Sequence, residues 1–488
     1  MKKYLLLVLT TIIFAGCSEN KKQEAPAYRT LIPVLDNRSD KFGFADVDGK
    51  VIIPCKYDHA EPFQEGFAAV RIGDYENGKW GFVDQTGRLI VPCKYDGVSP
   101  YKNGFATVRV GGYFDGKYGL VDRSGREIVE CKYDIIQPFE EGVAAVFKND
   151  CWGFINRYGQ EIIPCIYYDY QDPEDPEGFY DYVPTFHEGL AMVRIGDYYQ
   201  GKCGFVNNCG EVIPCIYDEA RDFSEGLAAV RIGKKWGYID RTGNLVIGYR
   251  FDNAEDFTEG MAPVYTGDRW CSNGKWGFVD KNGNLIIECK YNYVLPFNEG
   301  LAAVRIDTQD YGYYSSSKWG FIDKTGREVI PCQYKQAVSF YEGLAAIRTG
   351  DYYNGKWGFI DKNGKEVIPC KYNDHDNETH DYIPRFNDGL AMMNTSDMWE
   401  TKWCVIDKTG KEVIEPIYDW VEPFEEGLAR ACIGDWEYRK WGYLDKNGKV
   451  AIPFKYEHAL DFSNGLAKVE LDGKSFYIDK SGKEYIKE

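Results

Sequence analysis

Few residues of this 488-residue sequence have the type and spacing to do chemistry, and the first is a cysteine near the start. Lys2 and Lys3 precede a mostly apolar run from Tyr4 to Phe14, which ends in Phe14-Ala15-Gly16-Cys17. The run is too short to cross a bilayer as a helix, which takes ~20 residues. Small residues directly before a cysteine form a lipobox, where a signal peptidase cuts and leaves the cysteine N-terminal and acylated. Residues 1–16 are therefore read as a lipoprotein signal peptide and Cys17 as the lipidation site. The expected location is the cell envelope, held to a membrane by the lipid, with Ser18-Glu19 pointing to the outer membrane. Two or more acyl chains anchor a protein stably, whereas one holds it only marginally.

Three other groupings could bind something. Asp374, His375, Asp376, Glu378, His380 and Asp381 gather in one insertion, with two of the five histidines among carboxylates. Such a set could hold a divalent metal; a solvated acidic loop is the alternative. Cys151 with Cys165, and Cys203 with Cys215, fall opposite each other in the hairpin register derived below, and exported proteins form disulfides; reduced, packed thiols are the alternative. Tyr75, Tyr113, Tyr198 and Tyr352 lie in short loops beside acids and amides, at one position of a repeat. They are candidate ligand-binding rings, the alternative being that they pack on neighbouring units. No Ser/His/Asp or Cys/His arrangement, phosphate loop or dinucleotide fingerprint occurs, so no catalytic residue and no cofactor is assigned. A formal charge of −18 disfavours nucleic acid as a partner.

These residues are carried by a tandem repeat. Trp-Gly occurs at Trp80, Trp152, Trp236, Trp276, Trp319, Trp357 and Trp441, with degenerate copies at Phe42, Tyr118, Cys203, Trp403 and Phe476. That makes twelve units spaced 33 to 51 residues apart, most often 38. Each has Asp or Asn after the Trp-Gly strand and Gly three residues later, as Asp84 and Gly87 do. A three-residue hairpin loop needs positive φ at that glycine, and the carboxylate or amide accepts loop N–H groups. The repeated aspartates are thus turn residues rather than acid/base candidates. The turn predicts a hairpin with Asp84 facing Arg88, Phe82 facing Ile90 and Trp80 facing Pro92. Both faces are mostly apolar, so both should be covered, and Gly81 should make room for a ring of the next unit. A second constant glycine, from Gly66 to Gly465, has an aromatic three residues earlier and Ala two residues later. Eight cysteines, including Cys55, Cys93, Cys165 and Cys215, share one position, read as a half-buried apolar slot.

These motifs resemble the WG-containing repeat family, also called KWG repeats, over residues 41–488. The resemblance implies a bacterial secreted or surface protein. The expected fold is all-β: a tandem array of β-meanders, three strands per unit. Residues 17–40 should be the lipidated cysteine and a flexible tether. A β-propeller ring usually holds 4–8 blades of ~40–45 residues, fewer than twelve. Two six-unit rings should show a break near residues 236–276, where none occurs. An open solenoid accepts any number of units and is favoured over the propeller, with Phe42 and Phe476 marking terminal repeats. The expected function is non-enzymatic binding or scaffolding on the envelope, toward a polysaccharide or a protein, with an envelope enzyme the remote alternative.

Overall fold

Segments such as Phe67–Ile72 and Lys79–Asp84 are rich in β-branched and aromatic side chains, which suit a pleated surface, and every element among the described residues is a strand. The computed structural model describes residues 30–487 apart from residues 169–182, 197–199, 211, 268–273, 309–315, 351–354, 374–383, 396–401 and 435–437. The first strands are β1 (Ile32–Asp36), β2 (Lys41–Ala45), β3 (Val51–Tyr57), β4 (His59–Ala60), β5 (Phe67–Ile72), β6 (Lys79–Asp84) and β7 (Leu89–Tyr95). Strands β4 to β7 form an antiparallel sheet in that order, and equivalent four-stranded sheets follow along the chain. Four strands replace the expected three because the two residues His59–Ala60 also pair, opposite Arg71 and Val70. One sequence repeat is therefore shared by two sheets. Its Trp-Gly hairpin closes one sheet, and its alanine strand opens the next.

Alternation of side chains places the cores. Val83 belongs to the cluster shared with the preceding sheet, and Phe82 to the cluster shared with the following one. The hairpin is covered on both faces as expected, and each unit packs on its neighbours, the stacking rule of a solenoid. The sheets stay separate, apart from one pair linked through Asn373 and Asn394. The outer strand carries an exposed proline in several units, such as Pro54 and Pro92, which suits an edge strand with no partner for that N–H.

Both turns follow from their residues. Gly87 N–H donates to Asp84 O at 2.9 Å, Asp84 N–H donates to Arg88 O at 3.0 Å, and Gly87 has φ +83°. At the second glycine, Glu65 (φ 49°) and Gly66 (φ 89°) are both left-handed, between the paired Gln64 and Phe67. Two successive positive φ values make the type I′ hairpin turn whose twist matches the strands.

The register beyond the first turn differs from expectation. Val83 pairs with Leu89, but Phe82 pairs with Val91 rather than Ile90, and Trp80 with Tyr95 rather than Pro92, because β7 bulges twice. The bulge explains the Trp-Gly glycine. A Cβ on Gly81 would stand 2.4 Å from Val91 O and 2.8 Å from Cys93 N. Gly81 thus makes room for its own hairpin partner, not for a ring of the next unit. The same bulge shifts the register, so that Cys151 pairs with Tyr168 rather than Cys165, and Cys203 with Tyr217 rather than Cys215. Cys151, Cys165, Cys203 and Cys215 are all free, which corrects the disulfide expectation. The thiols of Cys165 and Cys215 instead point at Val146 O and Val193 O, 3.8 and 3.9 Å away.

The ends hold the largest surprise. Residues 32–36 do not belong to the tether, because Ile32, Val34 and Leu35 are buried and β1 pairs with β2 along five residues. On its other side β1 runs parallel to the last strand, Ile486–Lys487. That strand occupies in the first sheet the place that β4 occupies in the second. Leu35 N–H donates to Tyr485 O at 3.1 Å, and Asn37 N–H to Lys487 O at 2.8 Å. One hydrophobic cluster runs through residues of both ends, from Leu31 and Phe42 to Phe462 and Ile478. The solenoid rule describes how units stack, but the array has no free ends: its first and last units cap each other.

Closure also corrects the last unit. Ser475 pairs with Glu470 as Trp80 pairs with Arg71, so Ser475 holds the Trp position and Phe476 the Gly position. Phe476 is tolerated because the sheet of Lys474–Asp479 has three strands and no bulged fourth strand beside it.

Candidate functional site

The loop from the alanine strand to the Trp-Gly strand is fixed from inside and from below. Asp74 Oδ1 accepts Asn77 N–H at 2.7 Å, and Asp74 O accepts Gly78 N–H at 2.9 Å. Gly78 has no space for a side chain, since a Cβ would lie 2.4 Å from Asp74 O. Beneath the loop, Asp58 accepts Gly73 N–H at 2.9 Å and is ion-paired with Lys41. In the next unit Asp96 accepts Gly111 N–H at 2.9 Å and pairs with Lys79 at 2.5 Å. Lys79 and the Gly111 amide hold the Asp96 carboxyl below its usual range. This aspartate staples the start of one Trp-Gly strand to the loop of the following sheet.

On these fixed loops Tyr75 is 89% exposed and Tyr113 is 78% exposed. Each ring has an arginine beside it: Arg71 lies 5.8 Å from the Tyr75 centroid and 5.5 Å from that of Trp80, and Arg109 lies 5.6 Å from Tyr113. Phe114, 86% exposed, meets Tyr113 edge-on at 5.2 Å. Ring faces open to water beside amides and carboxylates can stack on the CH face of a ligand while neighbouring groups bind its hydroxyls.

The other anticipated residues divide simply. Cys17, Tyr198, Tyr352, Asp374, His375, Asp376 and His380 lie outside the described residues. Among the described residues, no group of three or more His, Cys, Asp or Glu side chains is placed to hold a metal. The turn aspartates act as turns: Asp84 Oδ1 accepts the N–H groups of Thr86 and Arg88, both at 3.0 Å. The shared cysteine slot is half-buried as expected, with Cys93 Sγ directed at Val70 O, 3.8 Å away.

A groove that the sequence did not reveal lies where the chain ends meet. Its volume is about 820 Å³, and Tyr75, Trp80, His59, Glu61, Lys468 and Lys474 are among its walls. Glu61 Oε1 is 2.8 Å from His59 Nε2, and Glu61 Oε2 accepts the Tyr477 hydroxyl at 2.7 Å. Lys468 Nζ is 3.3 Å from His59 Nε2 and 4.0 Å from Glu61. Burial would raise the Glu61 carboxyl, but the bonds from His59 and Tyr477 and the charge of Lys468 bring it below its ordinary value. The His59 ring meets Phe42 at 5.4 Å and Trp80 at 5.5 Å, edge-on. One signal was legible. Lys468 pairs with Tyr477 as Ala69 pairs with Phe82, so a lysine stands where other units place Ala69, Ala145 or Ala229. Arg430, opposite Tyr443, is the other cation there, and it lines a second groove of about 440 Å³ with Trp420, Glu422 and Trp441.

No curated protein matches the sequence. Among solved structures, the tricorn protease is 12% identical with a TM-score of 0.27; the match covers 94% of this chain and 61% of that one. The β-propeller domain of the Trilobed protease from Pyrococcus furiosus is 11% identical, TM-score 0.29, over 53% of this chain and 93% of that one. Dipeptidyl peptidase 4 of Porphyromonas gingivalis is 10% identical, TM-score 0.32, over 72% and 58%. This chain thus spans less than two thirds of the tricorn protease and of the dipeptidyl peptidase, and likenesses this remote transfer no activity. The WG containing repeat, by contrast, matches in twelve segments from residues 42–75, 80–114 and 118–150 through to 403–435 and 441–474. Those twelve segments cover most of the sequence, and the chain belongs to the WG containing repeat family.

Proposed function

We propose that this chain is a non-enzymatic binding protein of the cell envelope, held by a lipid on Cys17, whose loop rings engage a polysaccharide. The observation that carries this reading is the exposure of Tyr75 and Tyr113 on loops that hydrogen bonds hold fixed. A fixed ring loses little freedom on binding. Tyr75, Tyr113, Tyr198 and Tyr352 stand at the same position of four units, and a ligand with its own repeat can engage several together, so weak contacts sum to useful avidity. The charge of −18 favours a neutral polymer over an anionic one. Changing Tyr75, Tyr113, Tyr198 and Tyr352 together to Ser should leave the thermal midpoint nearly unmoved and abolish retention on immobilised neutral polysaccharides. Retention equal to wild type, or an unfolded variant, removes the rings from function.

A protein partner is the second reading, favoured by the exposed Tyr113–Phe114 pair, since paired aromatics are common interface anchors. A stoichiometric co-purifying protein that survives competition by sugars selects it. The anchor is tested separately: Cys17→Ser should abolish incorporation of labelled palmitate and release the protein from the membrane fraction.

A further inference from the structure

We infer that the groove at the junction of the first and last units is a ligand site of its own, built by closure of the array, for a short neutral saccharide. The inference deepens the reading above and rests on its choice of ligand class, but it assigns a different place and, apart from Tyr75, different residues.

Lys468 is the first reason. Its position accepts Ala69, Ala145 and Ala229, and also Met192 and Met392, each opposite the residue that follows the Trp-Gly glycine. Apolar side chains there complete the packing between sheets, so the fold does not require a cation. A partly buried ion pair is in general no better for stability than apolar packing. Lysine stands here together with Glu61 and the Tyr477 hydroxyl, and the cluster borders a cavity instead of filling it. The Arg430 groove repeats the association of a cation at this position with Trp-lined space.

The lining chemistry gives the class. Glu61 is matched by His59, Lys468 and Tyr477, Asp58 by Lys41, and Lys474 Nζ lies 2.5 Å from Asn37 Oδ1. The lining as a whole sets four acids, Asp40, Asp58, Glu61 and Asp472, against three bases, Arg71, Lys468 and Lys474, so the groove has little net charge and selects neither a polyanion nor a cation. It does offer several donors and acceptors beside the rings of Trp80 and Tyr75, the combination that suits hydroxyls on one edge of a ligand and CH groups on its face. Its volume falls within the ~300–1,000 Å³ range of small-molecule sites. Because Lys468 and Lys474 come from one end of the chain and His59, Tyr75 and Trp80 from the other, the site exists only when the ends meet. Ligand must then stabilise the closed array by mass action.

The test uses the full-length protein and isothermal titration with maltohexaose, cellohexaose and chitohexaose. Lys468→Met installs the residue that two other units carry at this position, and His59→Asn installs the equivalent Asn253, so both variants are expected to fold. The expected result is that at least one hexaose binds wild type and raises its thermal midpoint. Both variants should weaken that binding at least tenfold with unliganded midpoints unchanged. Binding that survives both seam variants overturns the seam site, and if it falls in Tyr113→Ser it belongs to the loop rings. Absence of binding to all three hexaoses by wild type overturns the seam site, leaving the loop rings to the polymer-retention test.

Discussion

At the scale of single residues, the acid before the second turn glycine does work that its own turn does not need. Glu259 sits at φ 52°, a conformation that costs a non-glycine residue roughly 1–2 kcal/mol. Its carboxylate accepts Gly300 N–H of the next unit at 3.0 Å and pairs with Lys324 at 3.1 Å. Glu225, Glu299 and Glu426 repeat this with Gly260, Gly343 and Gly465. Charge-assisted bonds of this kind offset the backbone cost and tie neighbouring sheets. Glu259→Gln should therefore lower stability by about 1 kcal/mol in urea unfolding, with the m-value unchanged. The turn aspartates set the acid limit. The Thr242 hydroxyl pulls the Asp240 carboxyl down to about 2, and the Thr325 hydroxyl does the same for Asp323. A depressed folded value means that this contribution is complete above the unfolded value of ~3.9 and is lost as pH falls toward 2. The urea midpoint should decline between about pH 4 and pH 2, and less steeply in Asp240→Asn/Asp323→Asn, since Asn156 and Asn207 already serve that turn. Thiols divide by burial. Burial pushes the Cys332 thiol up to about 11, whereas Cys209 is exposed at a turn. Iodoacetamide at pH 7.5, followed by peptide mass spectrometry, should modify Cys209 well before Cys332.

At the scale of the element, the Trp-Gly hairpin is defined by its bulge as much as by its turn. The glycine is needed because β7 folds its backbone under β6 at that point. Gly81→Ala should cost about 1–3 kcal/mol, as overpacking does, read from the thermal midpoint. Gly248, which has open space around its Cβ position and no positive φ, is the control: Gly248→Ala should be neutral or slightly stabilising. Equal effects at the two sites would show that backbone freedom, not the bulge, explains the repeated dipeptide. Cys404 fills the same position in another unit and is fully buried; nothing in the structure explains why a side chain is accepted there.

At the scale of the molecule, closure replaces capping. A stack of twelve separate units would be ~60–120 Å long, from sheet spacings of roughly 5–10 Å per unit, with a bare sheet face at either end. Here β1 and the last strand share a sheet, and Lys487 pairs with Asp36 at 3.1 Å. Truncation after Glu484 removes Tyr485, which is buried between the ends beside Ile32 and Tyr477. The truncated protein should melt several degrees lower and show a larger maximum dimension in small-angle scattering. An unchanged scattering profile and midpoint would mean that the last strand does not hold the ends together.

The sequence by itself determined the all-β class, the unit count, both turns and the roles of Asp84, Gly87 and Gly66, because each depends on backbone dihedrals and side-chain groups within a few residues. It also marked Tyr75 and Tyr113 as candidate exposed rings, since they lie in short loops beside acids, amides and glycines. Register was not legible: a bulge is settled by which side chains find space between two sheets, so Phe82 met Val91, and Cys151 and Cys203 met tyrosines instead of Cys165 and Cys215. The strand at Ile32–Asp36 was hidden because it follows no repeat and gains its partners only from residues 41–45 and 486–487, the latter more than 450 positions away. The groove between Glu61, Lys468 and Trp80 was decided by tertiary structure alone, since long-range closure brings its walls together and no local pattern encodes that contact.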